Sequence, residues 1–167
     1  MKEKFTDWSK ISNGILGRLG IEFEKIDPVA RFALYAEIKN TSFDIISISN
    51  QLKIDATLFD SYGKSINTSP FAIVGPQYLA QWAVIPARAY IGLRIDLQNV
   101  DVPLSKEAVI LVATGNKSWK INAGIYQLKV KIISNDDITV SHQWLGELEL
   151  PVLEFEVTKE MIEAGEK

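Results

Sequence analysis

A serine hydrolase needs a histidine to take the nucleophile's proton and a carboxylate to orient that histidine. The chain has one histidine, His142, in Ser141-His142-Gln143-Trp144. Neighbours along a strand point to opposite faces, so Ser141 is badly placed to serve His142, and a surface or loop histidine is expected. Glu147, Glu149, Glu154 and Glu156 raise the paired-carboxylate chemistry of glycosidases, which needs two carboxyl groups about 5 to 10 Å apart. These residues alternate with Leu148, Leu150, Phe155 and Val157, which reads as the solvent face of strands.

With no cysteine and a single histidine, the ligand sets of zinc and copper sites are missing, and only oxygen sites suited to calcium remain. Asn135-Asp136-Asp137 is the best local cluster. It lacks the alternating Asp spacing of a dedicated calcium loop, so a polar hairpin tip is the reading for Asp136 and Asp137. Gly14, Gly17 and Gly20 have the wrong spacing for a dinucleotide fingerprint, and no Walker motif occurs. No catalytic residue, metal or cofactor is assigned.

Aromatic side chains are the stronger candidates for contact. If residues 76–90 contain a strand, Tyr78, Ala80, Trp82 and Val84 share a face, with Tyr90 close by. Exposed, Tyr78, Trp82 and Tyr90 would stack on sugars or anchor a partner. For Trp82 the favoured reading is instead the core tryptophan of the sandwich. Trp8, with Ile11 and Ile15, is a further candidate contact on an N-terminal arm that covers an edge of its own fold or swaps onto a second copy.

The 167 residues are 47% hydrophobic, enough for one core-bearing domain. Eighteen Lys and Arg against 21 Asp and Glu give a formal net charge of −3, which offers no broad attraction to phosphate backbones or anionic lipid. Nucleic acid is therefore not an expected partner. No apolar run approaches the roughly 18 residues of a membrane helix. The mixed charges of residues 1–10, with no apolar run behind them, do not read as a secretory signal. A soluble, cytoplasmic protein is expected, and the lack of cysteine suits a reducing compartment.

The elements that must position these residues read as strands. Trp8, Ile11, Ile15 and Leu19 have helix-like spacing, so residues 1–19 are expected to be a short helix or a wrapped arm. A first strand is expected over 20–26, ended by Asp27-Pro28. Phe32, Leu34, Ala36 and Ile38 alternate along a core strand that turns at Asn40-Thr41-Ser42. Leu52, Ile54, Ala56 and Leu58 alternate along another that ends in Asp60-Ser-Tyr-Gly63-Lys, where glycine supplies a positive φ. These two are read as sheet neighbours. Residues 79–85 and 90–97 flank Pro86-Ala-Arg88 as a hairpin or a crossing between sheets. Strands over 109–113, over 139–150 with a break near Gly146, and over 153–157 complete the set, with Thr158 capping a charged tail over 159–167. Strand signals without intervening helical blocks argue for an antiparallel, all-β organisation.

Asn122-Ala-Gly124-Ile-Tyr126-Gln-Leu128 leads into an alternating Lys-Val-Lys-Ile run. It resembles the tyrosine corner of immunoglobulin-like domains, in which a tyrosine hydroxyl turns back to a backbone group a few residues upstream. Leu128 stands where antibody domains place a disulfide cysteine, so the resemblance is to disulfide-free members and covers mainly residues 28–158. With Asn40, Asp60 and Gly63, the layout is similar to small bacterial immunoglobulin-like sandwiches, including the intracellular proteinase inhibitor type. The resemblance implies a two-sheet antiparallel β-sandwich over 20–158. The missing catalytic constellations favour a non-enzymatic module that binds another protein through an edge strand or loops, as an inhibitor or antitoxin-like neutraliser. The alternatives are a carbohydrate-binding or cell-envelope module with an aromatic face, and an enzyme using carboxylates alone.

Overall fold

Twelve strands and one short helix are present in the computed structural model, which describes residues 4–26, 29–49, 52–68, 82–95, 110–114, 117–135 and 140–165. In chain order they are β1 (Lys4–Phe5), β2 (Ile15–Ile26), β3 (Val29–Asn40), β4 (Ile46–Ser49), β5 (Lys53–Asp60), β6 (Trp82–Ile85), β7 (Tyr90–Arg94), β8 (Ile110–Thr114), β9 (Lys117–Ile121), β10 (Gly124–Ser134), β11 (Gly146–Glu149), β12 (Leu153–Val157) and α1 (Lys159–Gly165). The protein is mostly β, with antiparallel pairing in every sheet.

The first sheet is built on the long β2–β3 pair, in register from Ile15↔Asn40 to Ile26↔Val29. The other edge of β3 is shared: β7 runs antiparallel along Tyr35–Lys39, and β8 pairs in parallel at Arg31↔Leu111 and carries β9 outward. In the second sheet β10 is central. It pairs with β5 along one edge, and with β12 and then β11 along the other. Pro151 interrupts that second edge, but the Leu150 amide still donates to the Val130 carbonyl at 3.0 Å, so the two short strands remain one line. A two-stranded ribbon, β4–β6, stands beside the sheets and is tied to residues 142–144 through Ser47.

Period-two alternation decides what each strand buries. β2 contributes Ile15, Leu19 and Ile21, β3 contributes Phe32, Leu34, Ala36 and Ile38, and β10 contributes Tyr126, Leu128, Val130 and Ile132 to one core. The buried faces of the two larger sheets meet there. Phe32 on β3 and Phe155 on β12 cross edge to face with centroids 5.0 Å apart. A Cβ on Gly17 would lie 2.6 Å from a Leu150 methyl, so the absence of a side chain sets how closely β2 approaches. The helix is capped by Thr158, whose hydroxyl accepts from the Met161 amide at 3.3 Å.

Three expectations are corrected, and of the short helix or wrapped arm expected at the N-terminus the arm is found. Residues 5–19 form no helix: Asn13 and Gly14 both have positive φ, 47° and 84°, and make a tight hairpin that lays residues 4–12 back along β2. The next strand therefore begins at Ile15 rather than at residue 20. β3 and β5 are not neighbours, because β5 pairs with β10 across Tyr126↔Asp60 to Ile133↔Lys53. Trp82 is only half-buried, and the core tryptophans are Trp119 and Trp144.

Candidate binding surface

One end of the molecule gathers the 13–14 hairpin, the 41–45 loop, the 86–89 turn and the 141–145 segment. Asn40, the last residue of β3, is fully buried at their junction. Its side-chain amide faces the carbonyls of Asp44, Ile85 and Pro86 at 2.7, 3.0 and 3.2 Å. Its Oδ1 accepts from the Ser42 amide at 2.9 Å and from the Ser42 hydroxyl at 2.8 Å. Next to it, the Thr41 amide and hydroxyl both donate to the Gly14 carbonyl at 2.8 Å. The Asn40 amide donates to Ala89, and the Asn13 side chain to Leu145. A buried polar group satisfied on both its donor and acceptor sides holds the loops it bridges to one arrangement.

From this base Phe43 stands 85% exposed. Arg88 has a positive φ of 65°, a conformation that costs a branched or long side chain on the order of 1 kcal/mol. It places the guanidinium 4.3 Å from the centroid of the Phe43 ring. Ile45 on the same loop and Val84 on β6 are also exposed, at 45% and 58%. Among the described residues Arg88 has no ion pair.

A second feature is a half-open cleft of about 340 Å³ between the β4–β6 ribbon, β5 and β7. Ile48, Leu52, Ile54, Ile91, Leu93 and Trp82 supply most of its wall. Trp82 thus faces a cleft whose lining does not include Tyr90. Tyr90 alternates to the opposite side of β7 from Ile91 and Leu93 and is 64% exposed. The structure does not bring these two aromatics onto one face, and Tyr78 lies outside the described residues.

Trp8 sits on the arm, half-buried, with the Arg18 guanidinium between it and Phe5 at 4.7 and 4.4 Å. Arg18 also bonds Glu37 at 2.7 Å. The arm meets its own chain along β11 and β12: Lys4 donates to the Glu154 carbonyl, Ser12 to Glu147 and Asn13 to Leu145. The turn and corner residues form local structure at the far end. Asp60 Oδ1 accepts from the Tyr62 and Lys64 amides at 2.9 Å each, and Gly63 takes φ 77°. The Tyr126 hydroxyl donates to the Asn122 carbonyl at 3.0 Å and passes close to Gly124. Burial raises the Tyr126 pKa above its ordinary value of 10.0, with the bond to Asn122 acting the other way.

His142 is exposed with φ 61°, and all four glutamates face solvent. Glu147 pairs with Lys131 at 2.9 Å. Among the described residues no three His, Asp or Glu side chains converge on a metal-sized site. Asp136 and Asp137 lie outside the described residues. Phe43 and Arg88 were not singled out from the sequence; the available signal was an aromatic placed directly after the polar Asn40-Thr-Ser turn. Comparison with protein families, curated proteins and solved structures finds no match to this chain.

Proposed function

We propose that the chain is a non-enzymatic protein-binding module, built as an immunoglobulin-like β-sandwich, that engages a partner through the loops at the Phe43 end and acts as an inhibitor or neutraliser. The observation that carries this reading is the exposed Phe43 ring, stacked under Arg88, on a loop fixed by the buried Asn40. An exposed aromatic and an arginine on a pre-ordered loop match the anchor residues of protein interfaces, because little conformational freedom is lost on binding. The sandwich reading is supported by the meeting faces of the two larger sheets and by the Tyr126 corner.

The edge-strand route is narrower. The β11–β12 edge is covered by the arm, while β6 pairs with β4 and with no other described strand. A carbohydrate face draws less support, since the cleft beside Trp82 is walled mainly by aliphatic side chains that give sugar hydroxyls few partners. The test is retention of proteins from the source organism's lysate on the full-length protein and on Phe43→Ser. A protein held at near-equal stoichiometry by the first and lost from the second is expected. Identical retention on both would remove the Phe43 end as the binding surface.

A further inference from the structure

We infer that the partner engaged at the Phe43 end is an acidic protein surface, with an apolar socket for the ring and a carboxylate on its lip to meet Arg88. This inference rests on the protein-binding reading and adds the chemistry of the partner.

Two arginines of this protein stack on aromatic rings in different electrostatic settings. Arg18 lies between Phe5 and Trp8, and its charge is answered within the chain by Glu37 at 2.7 Å. Arg88 lies over Phe43 at 4.3 Å with no carboxylate within ion-pair distance among the described residues. Asp44 adjoins Phe43 in the chain but is not paired with Arg88, although the loop that carries both is tied to the Arg88 turn through Asn40. With its central carbon over the ring and no ion pair among the described residues, the Arg88 guanidinium can offer its N–H fork to a planar acceptor, and a bidentate carboxylate fits that fork. It stays charged at every physiological pH, so covering it with a neutral surface would carry an uncompensated desolvation cost. The exposed Ile45 and Val84 add apolar area beside the pair. A nucleic acid would also present anions, but a chain of net charge −3 lacks the cationic footprint that phosphate backbones require.

The probe is a phage-displayed random peptide library, panned on the full-length protein with Phe43→Ala as the counter-selecting surface. Enriched peptides are then synthesised and titrated against the parent protein, Arg88→Ala, Arg88→Lys and Arg88→Glu, each first checked for an unchanged melting transition. The expected result is peptides that combine an apolar cluster with Asp or Glu. Their affinity should fall about tenfold or more with Arg88→Ala, fall further with Arg88→Glu, and recover in part with Arg88→Lys. Peptides that depend on Phe43 but are neutral or basic and indifferent to Arg88 would overturn the acidic partner while leaving the loop end as a binding surface. A library that yields no Phe43-dependent peptide would overturn both.

Discussion

The Lys117 ammonium on β9 donates to the Ala56 carbonyl on β5 at 2.7 Å, a bond from a side chain of one sheet into the backbone of the other. The opposite seam is closed in the same manner, by Lys4 to Glu154, Ser12 to Glu147 and Asn13 to Leu145. Strand edges expose carbonyls that invite pairing with other chains, and here side chains of the same chain occupy several of them.

Lys117 also pairs with Asp55 at 2.9 Å. That hydrogen bond, ahead of the charge attraction, holds the Asp55 carboxyl below its ordinary value of 3.8. A depressed folded-state value means that the stabilisation is present above the unfolded value and is lost as pH falls through the folded one. Asp55→Asn should therefore flatten the acid limb of stability against pH, measured by urea denaturation below pH 5. Lys117→Met should cost about 1 kcal/mol near neutral pH, because both sides of the pair are partly solvated.

A methyl group on Gly20 would lie 2.4 Å from the Phe5 ring. The ring belongs to the arm and has somewhere to go, so Gly20→Ala should release the arm at little cost to the core. Faster limited proteolysis within residues 4–12, with a nearly unchanged urea midpoint, is the expected result. Gly17→Ala meets Leu150, Leu148 and the Glu37 carbonyl inside the fold, and should instead lower global stability by about 1 to 3 kcal/mol.

Asn40→Ala would strip the side-chain donor from the Ile85 carbonyl, which it meets at a buried site. A loss of about 2 to 4 kcal/mol in denaturant unfolding is expected, since unsatisfied buried groups cost more than the mean hydrogen bond contributes. Peptide or partner affinity should fall with it, as the loop bearing Phe43 loses its fixed geometry.

Tyr126→Phe removes the bond to Asn122 and should cost about 1 kcal/mol. The pKa of Tyr126 is raised, mainly by burial. Its contribution to stability is therefore present below the unfolded value and is lost as pH rises through the folded one. The parent protein should destabilise on the alkaline side more steeply than Tyr126→Phe, in unfolding curves taken between about pH 8 and 11.

Phe43→Ser and Arg88→Asn should separate stability from binding. Phe43 is 85% exposed, so its loss should change unfolding by no more than about 0.5 kcal/mol. Asparagine tolerates the positive φ at position 88, so that substitution should leave stability unchanged or raise it by up to about 1 kcal/mol. Calorimetric melting beside binding titration checks both.

Local pattern carried the faces of strands and the chemistry of turns into view. The alternation of Phe32, Leu34, Ala36 and Ile38 marks a buried face, and all four are in the core. Gly63 takes the positive φ expected of its turn. Alternation says which side of a strand is wet, but not which strand lies next to it. The β5–β10 pairing joins segments more than 60 residues apart, and nothing local specifies it. The helix-like spacing from Trp8 to Leu19 straddles a hairpin, and Asn13-Gly14 is the strong local signal against it. The Phe43 surface was hidden for another reason: an aromatic after a polar turn is exposed or buried according to contacts made elsewhere, here by Asn40 with Ile85.

The arm seam also sets an order of events during synthesis. Its bonds join residues 150, 135 and 132 positions apart. The arm leaves the ribosome before its acceptors at Leu145, Glu147 and Glu154, which follow on the order of ten seconds later. Until then Trp8 and Phe5 can clasp Arg18, but the second sheet has no edge to offer them. The seam therefore closes only after residue 154 has been made, and the arm's donors wait for it while the rest of the chain is added.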